Sequence, residues 1–277
     1  MTTKTLAVIL FTRAEAEWLA PAVCELARGL DAHLIGVVPV LPFFVHDAAG
    51  FDPVVIPTIA KWQTEETDAI RALFDEAVRR ADVRGEFRAQ ERVAAPTEEF
   101  ALAATRAADV IVMAPKGDGG SSEPTDRLRA PIIRLSGRPV LIMPRDAALT
   151  AAPSRLLIGW SDTREATRAA HDALTLAAPG ARIDLLAVRS GRAEVHAMDA
   201  REDFAAALDR LGYSAELIDR DGPVGEISRT LMEVATERDA ELVVTGAFGH
   251  SAVYDFVIGA VTSDLLDAPK RPVLLSK

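Results

Sequence analysis

The residues in this chain best suited to chemistry are glycines. Gly246-Ala-Phe-Gly249 is followed, after nine intervening residues, by Gly259-Ala260-Val261-Thr262. This pattern comes straight after the apolar run Leu242-Val-Val-Thr245 and leads into a predicted helix near Asp255–Leu266. Glycines there let backbone approach a ligand closely, and free amides at a helix N-terminus meet phosphate oxygens well. In an open parallel sheet, ligands collect at the carboxyl ends of strands, near a change in strand order. The same glycines also suit a tight turn and close helix–strand packing, and spacing alone does not choose between the two.

Other reactive side chains are more scattered. His250 and Ser251 follow Gly249 directly, where a histidine either meets phosphate or stands in solvent. No Cys or His lies at ligand spacing from His250, so a metal site is not expected. His46, Asp47 and Asp52 sit in a Pro-rich stretch and read as a polar loop. Ser121-Ser122, flanked by Asp118 and Glu123, has neither a GxSxG context nor a histidine partner. With no nucleophile–base pair anywhere, the chain reads as a non-enzymatic protein.

The elements that must position the glycine loop repeat. Leu6-Ala-Val-Ile-Leu10 is a buried strand, followed by a helix over Ala14–Leu30 and a strand at His33–Val38. Residues Pro39–Pro57, with four prolines, are expected to lack regular structure, and Phe43, Phe44 and Phe51 there to cover a pocket or interface. A helix over Ile59–Arg80, a strand near Gly85–Arg92 and a helix over Pro96–Ala107 come next. Strand Val110–Met113, a polar loop, a helix near Thr125–Leu135 and strand Pro139–Met143 complete the set. The order then restarts at Leu156-Leu-Ile158, with Asp162-Thr-Arg-Glu165 as a capping-box-like helix start. Strands Ile183–Val188 and Ser214–Asp219 follow, then a helix over Val224–Arg238 and the closing strand Pro272–Leu275. Residues 108–114 parallel 240–246, and Gly-Arg-Pro-Val-Leu-Ile (137–142) parallels Lys-Arg-Pro-Val-Leu-Leu (270–275). A period near 130 residues means duplicated domains: 1–146 and 154–277, joined by a linker at 147–153, each closing its own layered core. Strands alternating with helices give two tandem doubly wound parallel-sheet α/β domains.

Composition agrees with this class. The chain is 49% hydrophobic but only 5% aromatic, as expected for parallel strands covered by Ala-rich helices. Trp18, Trp62 and Trp160 read as packing anchors, and the single cysteine, Cys24, as a buried apolar group. A formal net charge of -10 repels phosphate backbones and anionic lipid, so neither nucleic acid nor membrane is an expected partner. No apolar run approaches a bilayer span and the first residues lack a signal-peptide core, so a cytoplasmic location is expected.

The glycine loop ending in Arg-Pro-Val-Leu-Leu, together with Leu-Leu-Ile-Gly-Trp-Ser-Asp-Thr-Arg-Glu-Ala at 156–166, resembles the universal stress protein family. The likeness covers the chain as two copies and is clearer in the second. It implies strand order 3-2-1-4-5, the adenine nucleotide alpha-hydrolase-like arrangement. It also implies pairing of the last strands, here as an intrachain pseudo-dimer, with a homodimer as a further form. ATP or another adenine nucleotide is the ligand the resemblance implies for the second half, with no metal beyond Mg accompanying it. Gly246 and Gly249 would then face ribose and phosphates, Gly259, Ala260 and Val261 would contact phosphates, and Val188 would neighbour the adenine. Two positions depart from the family pattern. Ala260 stands where the family has Ser or Thr, with Thr262 two residues on. Ser161 stands at the family's acidic position, beside Asp162, which also suits a helix N-cap. The first half reads Ala114-Pro-Lys-Gly117 and lacks the third glycine, so no nucleotide is expected there. The alternatives are a ligand-free scaffold assembling through its last strands, and a weak ATPase.

Overall fold

A computed structural model of the protein describes residues 3–40, 55–90, 96–117, 123–189, 197–248 and 260–277. The first half runs β1 (Thr5–Ile9), α1 (Arg13–Leu30), β2 (His33–Val38), α2 (Val55–Ala81) and β3 (Gly85–Ala89). It continues with α3 (Thr97–Thr105), β4 (Val110–Met113), α4 (Glu123–Leu135) and β5 (Val140–Ile142). The second half repeats this order as β6 (Arg155–Gly159), α5 (Arg164–Ala173), β7 (Arg182–Arg189), α6 (Ala197–Arg210) and β8 (Ser214–Asp221). α7 (Ile227–Glu237), β9 (Leu242–Gly246), α8 (Ala260–Asp267) and β10 (Val273–Ser276) complete it.

All ten strands form one sheet, in the order β3-β2-β1-β4-β5-β10-β9-β6-β7-β8. Each half therefore has the expected 3-2-1-4-5 order, parallel within itself. The halves meet where β5 and β10 pair antiparallel, with Leu141 opposite Leu274. An antiparallel join between two arrays of the same order relates them by a pseudo-twofold through that pair. Neither last strand keeps a free edge; the edges are β3 and β8. Last-strand pairing is thus used up within the chain, and further copies cannot assemble through it. Charged residues line the free edges, Glu86 and Arg88 on β3 and Glu216, Asp219, Arg220 and Asp221 on β8. Such charges discourage pairing with another sheet.

The core corrects one expectation. Each sheet face carries an apolar cluster that crosses the seam, so the two copies do not close separate cores. One face joins Val112, Leu141, Leu274 and Val244 to α1, α2, α5 and α6 through Leu19, Phe74, Ala169 and Phe204. The other joins Ile111, Val140, Val273 and Val243 to α3, α4, α7 and α8 through Ala101, Ile132, Leu231 and Leu265. Strands buried on both faces need apolar residues at every position, which β4 (VIVM) and β5 (VLI) supply. Cys24 is fully buried among these residues, and burial pushes its thiol up to about 12.

Three local readings change. α2 begins at Val55, before Pro57, because the first turn of a helix has no need of a proline N–H. Trp62 on that helix is 56% exposed and anchors nothing among the described residues, whereas Trp160 is buried and stacks on Phe204 at 5.1 Å. Thr163, not Asp162, caps α5, its side chain accepting from the Ala166 N–H at 3.2 Å. Residues 41–54, with Phe43, Phe44, His46, Asp47, Phe51 and Asp52, and Ser121-Ser122 lie outside the described residues.

A core shared across the seam ties the stability of the halves together. Leu274→Ala should cost about 2–5 kcal/mol, measured by urea unfolding. Far-UV circular dichroism and tryptophan fluorescence should report one coincident transition; separate transitions for the halves would contradict the shared core.

Candidate functional site

The carboxyl ends of β6, β7 and β9 and the start of α8 converge on one sheet face in the second half. Alternation along β6 puts Leu157 on the face of α7 and α8, where Gly159 meets Leu231, and Ile158 and Trp160 on the other, with Ser161 just past the strand's end. Val188 near the end of β7 and Val261 on α8 pack against the same cluster as Leu157. Thr262 on α8 is buried, as is Thr245 on β9, whose hydroxyl donates to the Gly246 carbonyl at 3.3 Å. The Ser161 hydroxyl lies 3.1 Å from that of Thr163. Asp162 is exposed beside them. Four of the side chains named here, Ser161, Thr163, Thr245 and Thr262, carry hydroxyls.

Gly246 has a packing role of its own. A Cβ there would lie 2.6 Å from the Ala166 nitrogen and 2.7 Å from the Glu165 carbonyl carbon. Those are backbone atoms in the first turn of α5 and cannot step aside. Glu165 in that turn is buried, and burial pushes its carboxyl up. The Arg164 hydrogen bond at 2.6 Å, a backbone hydrogen bond and the Arg164 and Lys277 charges outweigh this, leaving it below the ordinary carboxylate range. Gly159 is likewise explained by packing, since Leu231 of α7 approaches to 2.9 Å of where its Cβ would stand.

The first half presents the same positions with different contents. Phe11 and Ser161 each stand two residues past a five-residue strand. Leu6 pairs with Val110 as Leu156 pairs with Leu242, which makes Met113 the counterpart of Thr245 and Ala114 that of Gly246. Arg129 and Thr262 each stand eleven residues before the first residue of a seam strand, followed by the buried pairs Ile132-Ile133 and Leu265-Leu266. Phenylalanine, methionine and arginine thus replace serine, threonine and threonine. Arg129 is 0% exposed and each guanidinium nitrogen donates one hydrogen bond. Nε meets the Ala114 carbonyl at 3.0 Å, Nη1 Asp126 at 2.6 Å and Nη2 Glu15 at 2.6 Å. The guanidinium carbon stands 4.6 Å from the centre of the Phe11 ring. Sequence reasoning missed this group, because an arginine in an amphipathic helix reads as solvated and Glu15 lies far away in the chain.

The two halves also touch through these loops. Lys116, the counterpart of Phe248, bonds through its N–H to the Leu266 carbonyl at 2.8 Å and through Nζ to Asp267 at 2.9 Å. Across the pseudo-twofold, the Arg134 guanidinium of the first half faces the Phe248 ring at 5.7 Å, and Lys277 faces it at 5.6 Å. Phe248 itself takes φ +62, a left-handed conformation uncommon for a bulky residue. The start of the glycine loop is therefore tied to the opposite half.

Of the residues expected at a ligand site, the structure gathers Ser161, Val188, Val261 and Thr262 at one end of the sheet. Gly246 lies there too, against α5. Gly249, His250 and Gly259 lie outside the described residues, and Ala260 is the first residue of α8. Among the described residues no group of three His, Cys, Asp or Glu could hold a metal ion. The close approach of α5 makes Gly246 intolerant of any side chain. Gly246→Ala should cost about 1–3 kcal/mol by chemical denaturation, and an unchanged midpoint would show that α5 can withdraw.

Comparison with known proteins follows the same division. The universal stress protein family model matches residues 154–277. The crystal structure of a universal stress protein from Archaeoglobus fulgidus DSM 4304 superposes with a TM-score of 0.72 at 14% identity, over 100% of this chain and 97% of its own. A functionally unknown protein from Pseudomonas aeruginosa PAO1 matches with a TM-score of 0.54 at 15% identity, over 99% of this chain and 92% of its own. No curated protein matches the sequence. The second half, residues 154–277, thus matches the universal stress protein family model, and the chain as a whole shares the fold of the Archaeoglobus fulgidus structure.

Proposed function

We propose that this protein is a non-enzymatic, cytoplasmic stress-response binding protein that takes one adenine nucleotide, ATP in the first instance, in its second half. The division into domains 1–146 and 154–277 about a linker at 147–153 belongs to the same reading. The observation that carries it is the contrast between equivalent positions: Ser161, Thr245 and Thr262 in the second half against Phe11, Met113 and Arg129 in the first. Small hydroxyl side chains take up less space where a nucleotide would lie than the phenylalanine, methionine and arginine of the first half. Val188 supplies apolar contact for a base, and Val261 and Thr262 stand in the first turn of α8, where helix amides favour phosphate and Thr262 adds a hydroxyl. Each hydrogen bond to a charged phosphate contributes about 1.5–3 kcal/mol. The hydroxyl that Ala260 lacks therefore points to modest affinity. Among the described residues no helix is long and apolar enough to cross a membrane.

Isothermal titration with ATP tests this reading. One site per chain is expected, with steady-state phosphate release no faster than in buffer. Thr262→Arg copies the first half's side chain into the second and should abolish the heat. No heat from the wild-type protein, or equal heat from Thr262→Arg, would overturn the assignment.

A further inference from the structure

The first half's filled cleft has a chemistry of its own. Two carboxylates, Glu15 and Asp126, converge on one guanidinium, with the Ala114 carbonyl and the Phe11 ring face completing its surroundings. Glu15 is fully buried, and its second oxygen accepts the Phe11 N–H at 2.9 Å. That bond aims the carboxylate without help from Arg129. Asp126 sits one turn before Arg129 on α4, and the Ala114 carbonyl is the first past the end of β4. The acceptors are therefore positioned by β1, α1, β4 and α4, and the arginine supplies only the cation they surround. A planar group with donors in a fixed fork matches such a set of acceptors, while a compact ammonium does not.

We infer that the end of the first half's sheet is a guanidinium-binding site whose ligand, the Arg129 side chain, is built into the chain. The site is anionic once that side chain is removed, so it excludes nucleotide whether or not Arg129 is present. Truncating Arg129 leaves a vacancy for a small guanidinium compound and not for a phosphate. This does not depend on nucleotide binding in the second half, since its ligand and its half of the chain are different.

Chemical rescue of the full-length Arg129→Ala protein tests it. Removing one partner of a buried pair should lower Tm by about 6–10 °C. Guanidinium or methylguanidinium chloride at low millimolar concentration should recover most of that loss. Ammonium and sodium chloride at the same ionic strength should not, and Glu15→Gln combined with Arg129→Ala should abolish the recovery. ATP should leave the Tm difference between wild type and Arg129→Ala unchanged. Absence of guanidinium-specific recovery, or equal recovery by ammonium, overturns the inference. If Arg129→Ala does not fold, the near-isosteric Glu15→Gln carries the test through arginine-directed phenylglyoxal labelling read by peptide mass spectrometry. Arg129 should be protected in the wild type and modified in Glu15→Gln; equal protection in both overturns the inference.

Discussion

The antiparallel pairing of β5 with β10 governs what each half of this chain can be. Buried strands must satisfy every backbone N–H and carbonyl, and a last strand left at an edge would have half of its groups unpaired. Here each last strand satisfies the other, with Leu141 and Leu274 at the centre of the join. The result is a ten-stranded sheet with one apolar cluster on each face. Neither copy needs a partner chain to complete its sheet, and neither half's core ends at the seam.

That arrangement frees the two copies to diverge where the seam makes no demand, at the carboxyl ends of the strands. In the first half the position equivalent to Thr262 holds Arg129, and the surrounding groups have changed with it: Phe11 under the guanidinium, Glu15 and Asp126 around it. An isolated buried arginine would be costly, and a pair is tolerable only when its hydrogen-bonding groups are satisfied. Here every guanidinium nitrogen donates a hydrogen bond, two of them to carboxylates. In the second half the buried acid of the α5 first turn persists as Glu165, but it leans on the exposed Arg164. The halves remain in contact through Lys116 with Asp267 and Arg134 with Phe248, so the filled half holds the start of the other's glycine loop.

Much of this was legible in the chain itself. The Arg-Pro-Val repeat marked the seam strands, and the run Val110–Met113 could only be a strand buried on both faces. Small residues at Ala166, Ala169, Ala170 and Ala173 announced a helix packed close to its sheet. What the sequence hid were features decided by distant partners. Arg129 depends on Glu15, which lies more than a hundred residues away, and nothing local distinguishes it from the neighbouring, exposed Arg127. Gly246 reads as a loop glycine, yet the space it clears is taken by the α5 backbone. Asp162 and Thr163 both suit a helix cap, and only the backbone path selected threonine. Trp62 looked like an anchor because tryptophan usually is one, but its turn of α2 faces solvent.

The central claim is that two equivalent sites have parted, one filled from within and one left for a ligand. A crystal structure grown with ATP tests it most directly. The account predicts nucleotide density in the second half beside Ser161 and Thr262, with Arg129 unmoved against Glu15 and Asp126. Density in the first half, or an Arg129 side chain displaced to admit it, would contradict the account.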